Sequence, residues 1–247
     1  MMVFFICKIY YDKGVTYVLT FIIIGARIIL WQGCHKEVMA IPSETFNNLS
    51  EEKKNRIIEA AINEFAERSF ENAMLSNIIK ASKISRGSMY QYFEDKMDLF
   101  KYLFDIIAMR KVKYMEDLLP NPDTLPFLDL FYEMYKRGLL FSLENPKFVD
   151  IAGHLLSGKG ITYELFLKEG LKMARQYYIG YIESDKNLGR IDPKIDSGVL
   201  ADIVIDMTTN IAIDSLDTNN KEESYNIMMN KVEQIIYIFK KGIQLGE

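Results

Sequence analysis

The chain has few of the residues that covalent or metal-based chemistry needs. Of its 247 residues, two are cysteines and two are histidines. Both cysteines, Cys7 and Cys34, lie within the first 38 residues, so the sequence indicates no disulfide framework and favours a reducing cytoplasm. It contains no clustered histidines, no glycine-rich phosphate loop and no Gly-x-Ser-x-Gly turn. We therefore predict a protein that is not an enzyme and that holds no metal ion and no cofactor.

Long charge runs and low-complexity tracts are also missing, and a hydrophobic content of 49% is enough to bury one or two cores. The formal net charge is −4, but it is unevenly distributed. Between Glu51 and Lys113 twelve Lys and Arg residues stand against ten Asp and Glu, whereas the remainder is acidic. Because the local field steers the encounter with a polyanion, the acidic total does not exclude nucleic-acid binding by the 51–113 segment.

The first 38 residues include a nearly continuous apolar run over 15–31, broken by Gly25 and Arg27. A membrane anchor would need about 20 apolar residues and would disfavour the charge at Arg27. A signal peptide would need a small-residue cleavage site, which is not evident here. The third interpretation is that translation begins at Met39, giving a chain of 209 residues. We favour that interpretation, regard residues 1–38 as a doubtful extension and expect no membrane partner.

The segment from Leu75 to Phe100 predicts two short helices joined by a turn. Leu75, Ile78 and Ile79 fall at i, i+3 and i+4, which places one apolar stripe on a helix too short to be stable alone. A small polar run interrupts the pattern, and Ser85 then occupies a position typical of a helix N-cap. This spacing is typical of a helix-turn-helix unit.

The second helix of this unit is predicted to present polar side chains outward. Arg86 and Gln91 can bond base edges, and the hydroxyls of Ser88 and Tyr90 can donate to phosphate oxygens. A glycine at position 87 permits close approach of another backbone, and Lys96 begins the next helix, where an ammonium could clamp a phosphate. The candidate DNA contacts are Ser85, Arg86, Gly87, Ser88, Tyr90, Gln91, Tyr92 and Lys96.

Residues 50–100 resemble the DNA-binding domain of the TetR/AcrR family of transcriptional regulators. The family signature is matched by Ile78-Ile79, Ser85-Arg86-Gly87-Ser88, Met89-Tyr90-Gln91-Tyr92-Phe93, Lys96 and Leu99. The sequence departs from the family pattern at Ser69, where a glycine is usual, and at Ala73, where a threonine cap is usual; each weakens a cap or turn by about 1 kcal/mol. Lys83 replaces a turn glycine and would need a positive φ or a different turn.

The rest of the sequence predicts an all-α protein. A three-helix DNA-binding domain spans 50–96, a connecting helix spans 97–119, and a helical effector-binding and dimerisation domain spans 120–247, after a proline-rich joint at 120–126. Apolar periodicity and Gly, Pro and Asn breaks predict the later helices at about 127–144, 147–157, 162–186, 194–215 and 222–244.

The resemblance implies a homodimer formed through 194–215 and 222–244, a double-stranded palindromic operator, and release by a small-molecule effector. The aromatic and methionine-rich middle helices could supply a pocket for an apolar or aromatic effector. Candidate effector contacts are Tyr135, His154, Phe166, Met173 and Tyr177. Two alternatives stay open: an all-helical sensor that acts through protein partners, and a membrane-anchored regulator if residues 1–38 are genuine.

Overall fold

The computed structural model describes residues 9–11, 14–16, 20–24, 27–31, 42–115, 118, 125–157, 161–215, 217 and 219–243. Its first elements are two antiparallel strand pairs in the doubtful N-terminal extension. Strand β1 (Ile9–Tyr11) pairs with β2 (Gly14–Thr16), and β3 (Thr20–Ile24) pairs with β4 (Arg27–Trp31). Tyr10 lies opposite Val15, and Ile22 lies opposite Ile29. Within the described ranges, no helix is both long enough and apolar enough to cross a membrane.

From residue 44 onward the described chain is helical, which confirms the predicted all-α class. The first five helices are α1 (Glu44–Asn47), α2 (Glu51–Glu67), α3 (Leu75–Ser82), α4 (Arg86–Tyr92) and α5 (Lys96–Met115). Ser50 caps α2 as predicted, since its hydroxyl accepts a hydrogen bond from the Lys53 amide at 3.4 Å. Helix α1 was not predicted.

These five helices share a tightly buried core. Its central side chains, each at most 2% exposed, are Phe46, Ile57, Phe65, Ile78, Met89 and Phe100. The ring of Phe46, from α1, packs against Phe93 at 4.9 Å and against Tyr102 at 5.3 Å between centroids. Helix α1 therefore packs into the same core as α2 to α5.

The second half contains α6 (Phe127–Glu144), α7 (Pro146–Ser157), a π-helical turn (Tyr163–Lys168), α8 (Glu169–Asn187), α9 (Ser197–Ser215) and α10 (Lys221–Ile243). The five predicted helices are confirmed to within three residues at each end, although the one predicted over 162–186 begins with the π-helical turn. Of the predicted proline-rich joint, residues 120–124 lie outside the described residues.

Helices α6, α8, α9 and α10 enclose a second core, whose side chains at most 1% exposed include Met134, Leu139, Ile182, Ala201 and Val232. Helix α7 instead packs on the first core, to which it contributes Phe148, Ile151 and Leu155. Helix α5 contacts both cores, with Phe100 in the first and Met115 in the second. Helix α5 therefore joins the two cores, and α7 joins the second half of the chain to the first core.

Candidate nucleic-acid interface

The turn between α3 and α4 depends on an unusual backbone conformation at Lys83. This residue has φ 55° and ψ 43° and is the only described residue other than glycine with a positive φ. The amides of Lys83 and Ile84 donate to the carbonyls of Lys80 and Ile79, each at 3.3 Å, and so close the end of α3. Of the two alternatives that the sequence left open at Lys83, a positive φ or a different turn, the structure has the positive φ.

Ser85 caps the recognition helix α4 as predicted. Its Oγ accepts a hydrogen bond from the Ser88 amide at 3.0 Å and lies 2.9 Å from the Ser88 hydroxyl. The caps and the turn fix which face of this two-turn helix is buried. Met89 is 1% exposed, whereas Ser85, Arg86, Gly87, Tyr90 and Gln91 are all exposed. Of the five residues predicted to point outward, Arg86, Gly87, Tyr90 and Gln91 are exposed, whereas Ser88 is half-buried.

Two further features concern the exposed face of α4. The Arg86 guanidinium lies 5.8 Å from the centroid of the Tyr90 ring, a cation–π distance that favours an extended, ordered side chain. At Gly87, the nearest heavy atom to an added Cβ would be Ser85 Oγ at 3.8 Å, an ordinary van der Waals contact. The fold itself thus does not require a glycine there, which favours a role at the outer surface.

Tyr92 does not share the exposed face of α4. Its side chain is 4% exposed, and its ring packs edge-on against Phe46 at 5.8 Å between centroids. The Tyr92 carbonyl also accepts a hydrogen bond from the Ser43 amide at 3.2 Å. The Tyr92 ring is thus a core side chain, because α1 covers the side of α4 on which the ring lies, and a DNA contact at Tyr92 stays a prediction.

Lys96 is also more constrained than its sequence position indicates. Its Nζ donates to the carbonyls of Glu71 at 3.2 Å and Ala73 at 2.9 Å, and it lies 4.6 Å from the centroid of the Phe70 ring. The ammonium therefore holds the turn between α2 and α3 against the start of α5. These two carbonyls engage two of its three donor hydrogens.

Glu64 is a structural residue of this unit that the sequence analysis missed. Its carboxylate, 7% exposed, accepts hydrogen bonds from the Met74 amide at 2.8 Å and from the Asn77 side-chain amide at 3.0 and 3.1 Å. It supplies the cap for α3 that Ala73 cannot. One sequence signal existed, since Glu64 follows Ile57 and Ala61 at helical spacing and so interrupts an apolar stripe.

The candidate effector residues do not form one group. Tyr135 is 1% exposed and Tyr177 half-buried, both at the second core, and burial raises the pKa of both phenols, that of Tyr177 to about 12. Phe166 belongs to the first core, 4.5 Å from Phe104 between ring centroids. His154 Nε2 lies 3.0 Å from the Ala66 carbonyl oxygen at the end of α2. The side chain of Met173 lies outside the described residues.

The helices from α2 to α5 resemble those of known proteins. The family described as "Bacterial regulatory proteins, tetR family" matches residues 57–103, which run from α2 into α5. The helix-turn-helix transcriptional regulator YdgC of Bacillus subtilis is 26% identical over 172 residues, 69% of this chain and 85% of that protein.

Two solved structures share the fold beyond the DNA-binding domain. A TetR family transcriptional regulator from Chloroflexus aurantiacus superposes with a TM-score of 0.64 at 24% identity, over 83% of this chain and 100% of that one. The fatty acid degradation regulator FadR from Bacillus halodurans superposes with a TM-score of 0.56 at 18% identity, over 79% and 98%. The likeness therefore includes the helices that follow α5.

Proposed function

Because the chain belongs to the TetR family of bacterial helix-turn-helix transcriptional regulators, we propose that it is a cytoplasmic, homodimeric repressor of a palindromic operator. A small apolar or aromatic effector releases it from that DNA. The observation that carries the proposal is the exposed face of α4, on which Arg86 and Gln91 point away from a fully buried Met89.

Each exposed group on α4 has a role in this proposal. Arg86 and Gln91 bond base edges in the major groove, because a guanidinium suits guanine and a side-chain amide suits adenine. Tyr90 and Ser88 donate to phosphates and set the register of the helix on the duplex. Lys96 keeps one donor hydrogen beyond its two carbonyl contacts, and we assign that hydrogen to a phosphate.

Exposed apolar residues on α9 and α10 support a dimer. Val199 is 56% exposed and Ile203 40%, one turn apart on α9, while Ile227, Tyr237 and Ile238 on α10 are 41%, 60% and 63% exposed. Apolar surface of this kind is favourable when a second copy covers it. Ile211, Val232 and Ile236, on the same two helices, are core residues. A two-fold dimer would place two copies of α4 about 34–36 Å apart, one duplex turn, or a multiple of it.

Contacts between α7 and α2 would transmit an effector signal. His154 contacts the Ala66 carbonyl, and Lys147 Nζ donates to Asn63 Oδ1 at 2.5 Å. A ligand that favours a different packing of α5 and α7 would shift α2 and, through the first core, α4. FadR shares the fold and is a fatty acid degradation regulator, which is consistent with an apolar effector.

The experiment is a gel-shift titration with the duplex upstream of the chain's own gene, in competition with unrelated DNA. We expect specific binding, and we expect Arg86→Ala or Gln91→Ala to lose about 1–3 kcal/mol of preference for the operator. Tyr90→Phe should weaken binding to all sequences alike. Arg110→Ala, which removes an exposed arginine from α5, serves as the matched control. Equal affinity for operator and unrelated DNA would overturn the proposal and favour a sensor that acts through protein partners.

A further inference from the structure

Lys111 occupies a core position. It follows Ile107 by four residues and precedes Met115 by four, so it lies on the stripe of α5 that faces the other helices. Its side chain is 0% exposed, as is that of Met115. Lysine is almost never fully buried unless its charge is paired, so this position demands an explanation.

The Lys111 ammonium has no hydrogen-bond partner within the part of the chain that the structure describes. Its Nζ lies 5.9 Å from the centroid of the Phe141 ring on α6. Burial lowers the pKa of this ammonium well below its usual value. An uncompensated buried charge costs several kcal/mol, and an anion brought to the site would offset that cost.

A second buried donor lies on the neighbouring helix. The hydroxyl of Tyr135 on α6 is buried and, among the described residues, has no hydrogen-bond partner either. Helices α5 and α6 are in contact, since Arg137 Nη1 donates to the Tyr114 carbonyl at 3.3 Å. This helix pair therefore holds a lysine amino group and a hydroxyl, both buried and both with hydrogens to donate. What it lacks is an acceptor.

We propose that Lys111 binds the carboxylate of an organic acid with an apolar body, held between α5 and α6. The Phe141 ring and the apolar side chains beside Lys111 on α5 would contact the body of the ligand. The inference rests on the proposed function, whose effector it assigns to the acids rather than to neutral apolar molecules. A carboxylate that enters there must part α5 from α6, and α5 is the helix that reaches both cores.

The test compares acids with alcohols of the same skeleton by isothermal titration calorimetry on the full chain. The pairs are decanoate with decanol and 4-phenylbutyrate with 4-phenylbutanol. For at least one pair we expect the acid to bind about tenfold more tightly or better, since a buried charge-assisted hydrogen bond contributes that much. Lys111→Met should abolish the preference while leaving the affinity for the alcohol within about twofold. Lys113→Met, which removes an exposed lysine from the same helix, should retain the preference.

Acids that bind no better than their alcohols, or no binding by any of the four compounds, would overturn the inference. A preference that survives in Lys111→Met would overturn it as well. Lys111→Met should fold, because an apolar side chain of similar volume replaces a buried charge. If it does not, the comparison of acid with alcohol on the unaltered chain decides alone. The calorimetry uses no DNA, so a chain that prefers the acids yet ignores its upstream duplex would refute the repressor and leave the Lys111 site standing.

Discussion

The recognition helix and the C-terminal helix pair leave opposite kinds of surface exposed. On α4 the exposed groups are mostly polar, and the large apolar Met89 is buried. On α9 and α10, Val199 and Ile238 are more than half exposed. Polar donors at one surface fit a polyanion, whereas apolar side chains at the other fit a second apolar surface. The composition of each exposed face thus indicates its partner.

The most disruptive way to test this contrast is to place a charge on the apolar face. Ile238→Asp, at a site 63% exposed, should leave the monomer folded but prevent dimerisation, because the carboxylate would be desolvated in the interface. Without two linked recognition helices, operator affinity should fall by about 100-fold or more. Light scattering after size exclusion measures the mass, and a gel shift measures the affinity.

Met109→Asp is the matched control, because Met109 is 56% exposed but lies on α5. It should remain dimeric. An Ile238→Asp variant that stays dimeric would show that the exposed apolar face of α9 and α10 does not form the dimer interface. The composition of that face would then not indicate its partner.

A second contrast concerns buried charge. The Glu64 carboxylate is buried among three donor contacts, whereas the Lys111 ammonium, in the described part of the chain, has none. Glu64→Ala should therefore lower the free energy of unfolding by about 1–3 kcal/mol, since the Met74 amide and the Asn77 side chain lose their acceptor. Urea unfolding followed by circular dichroism measures the change.

Glu67→Ala, three residues further along α2 and exposed, should change the stability by less than about 0.5 kcal/mol. If both glutamate variants behave alike, the carboxylate of Glu64 does not cap α3. The opposite expectation holds for Lys111→Met, which should leave the stability unchanged or raise it. Urea unfolding thus distinguishes a buried charge that has hydrogen-bond partners, Glu64, from one that has none in the described part of the chain, Lys111.

Features set by neighbours in the sequence could be predicted. The Ser50 and Ser85 caps and the helix over 127–144 each depend on residues within about one helical turn or on regular periodicity. Once the Ser85 cap fixes the first residue of α4, the helical period also predicts which of its side chains face outward.

Features set by distant residues could not be predicted. Tyr92 is buried because Phe46, from a short helix without periodicity, covers it. Lys96 bonds carbonyls more than twenty residues earlier in the chain. Among the candidate effector residues, Tyr135 and Tyr177 lie at the second core and Phe166 in the first, and composition carries no information about which core an aromatic ring enters.

The smallest predicted effect tests the turn that orients α4. At φ 55° a lysine is strained by about 1–2 kcal/mol relative to glycine, part of which the greater freedom of glycine in the unfolded chain cancels. Lys83→Gly should therefore raise the free energy of unfolding by up to about 1 kcal/mol. Lys80→Gly removes the same charge three residues earlier, inside α3, and should lower it by about 1 kcal/mol. Opposite signs in urea unfolding would support a left-handed turn, whereas a loss in both variants would contradict it and leave the orientation of the recognition helix unexplained.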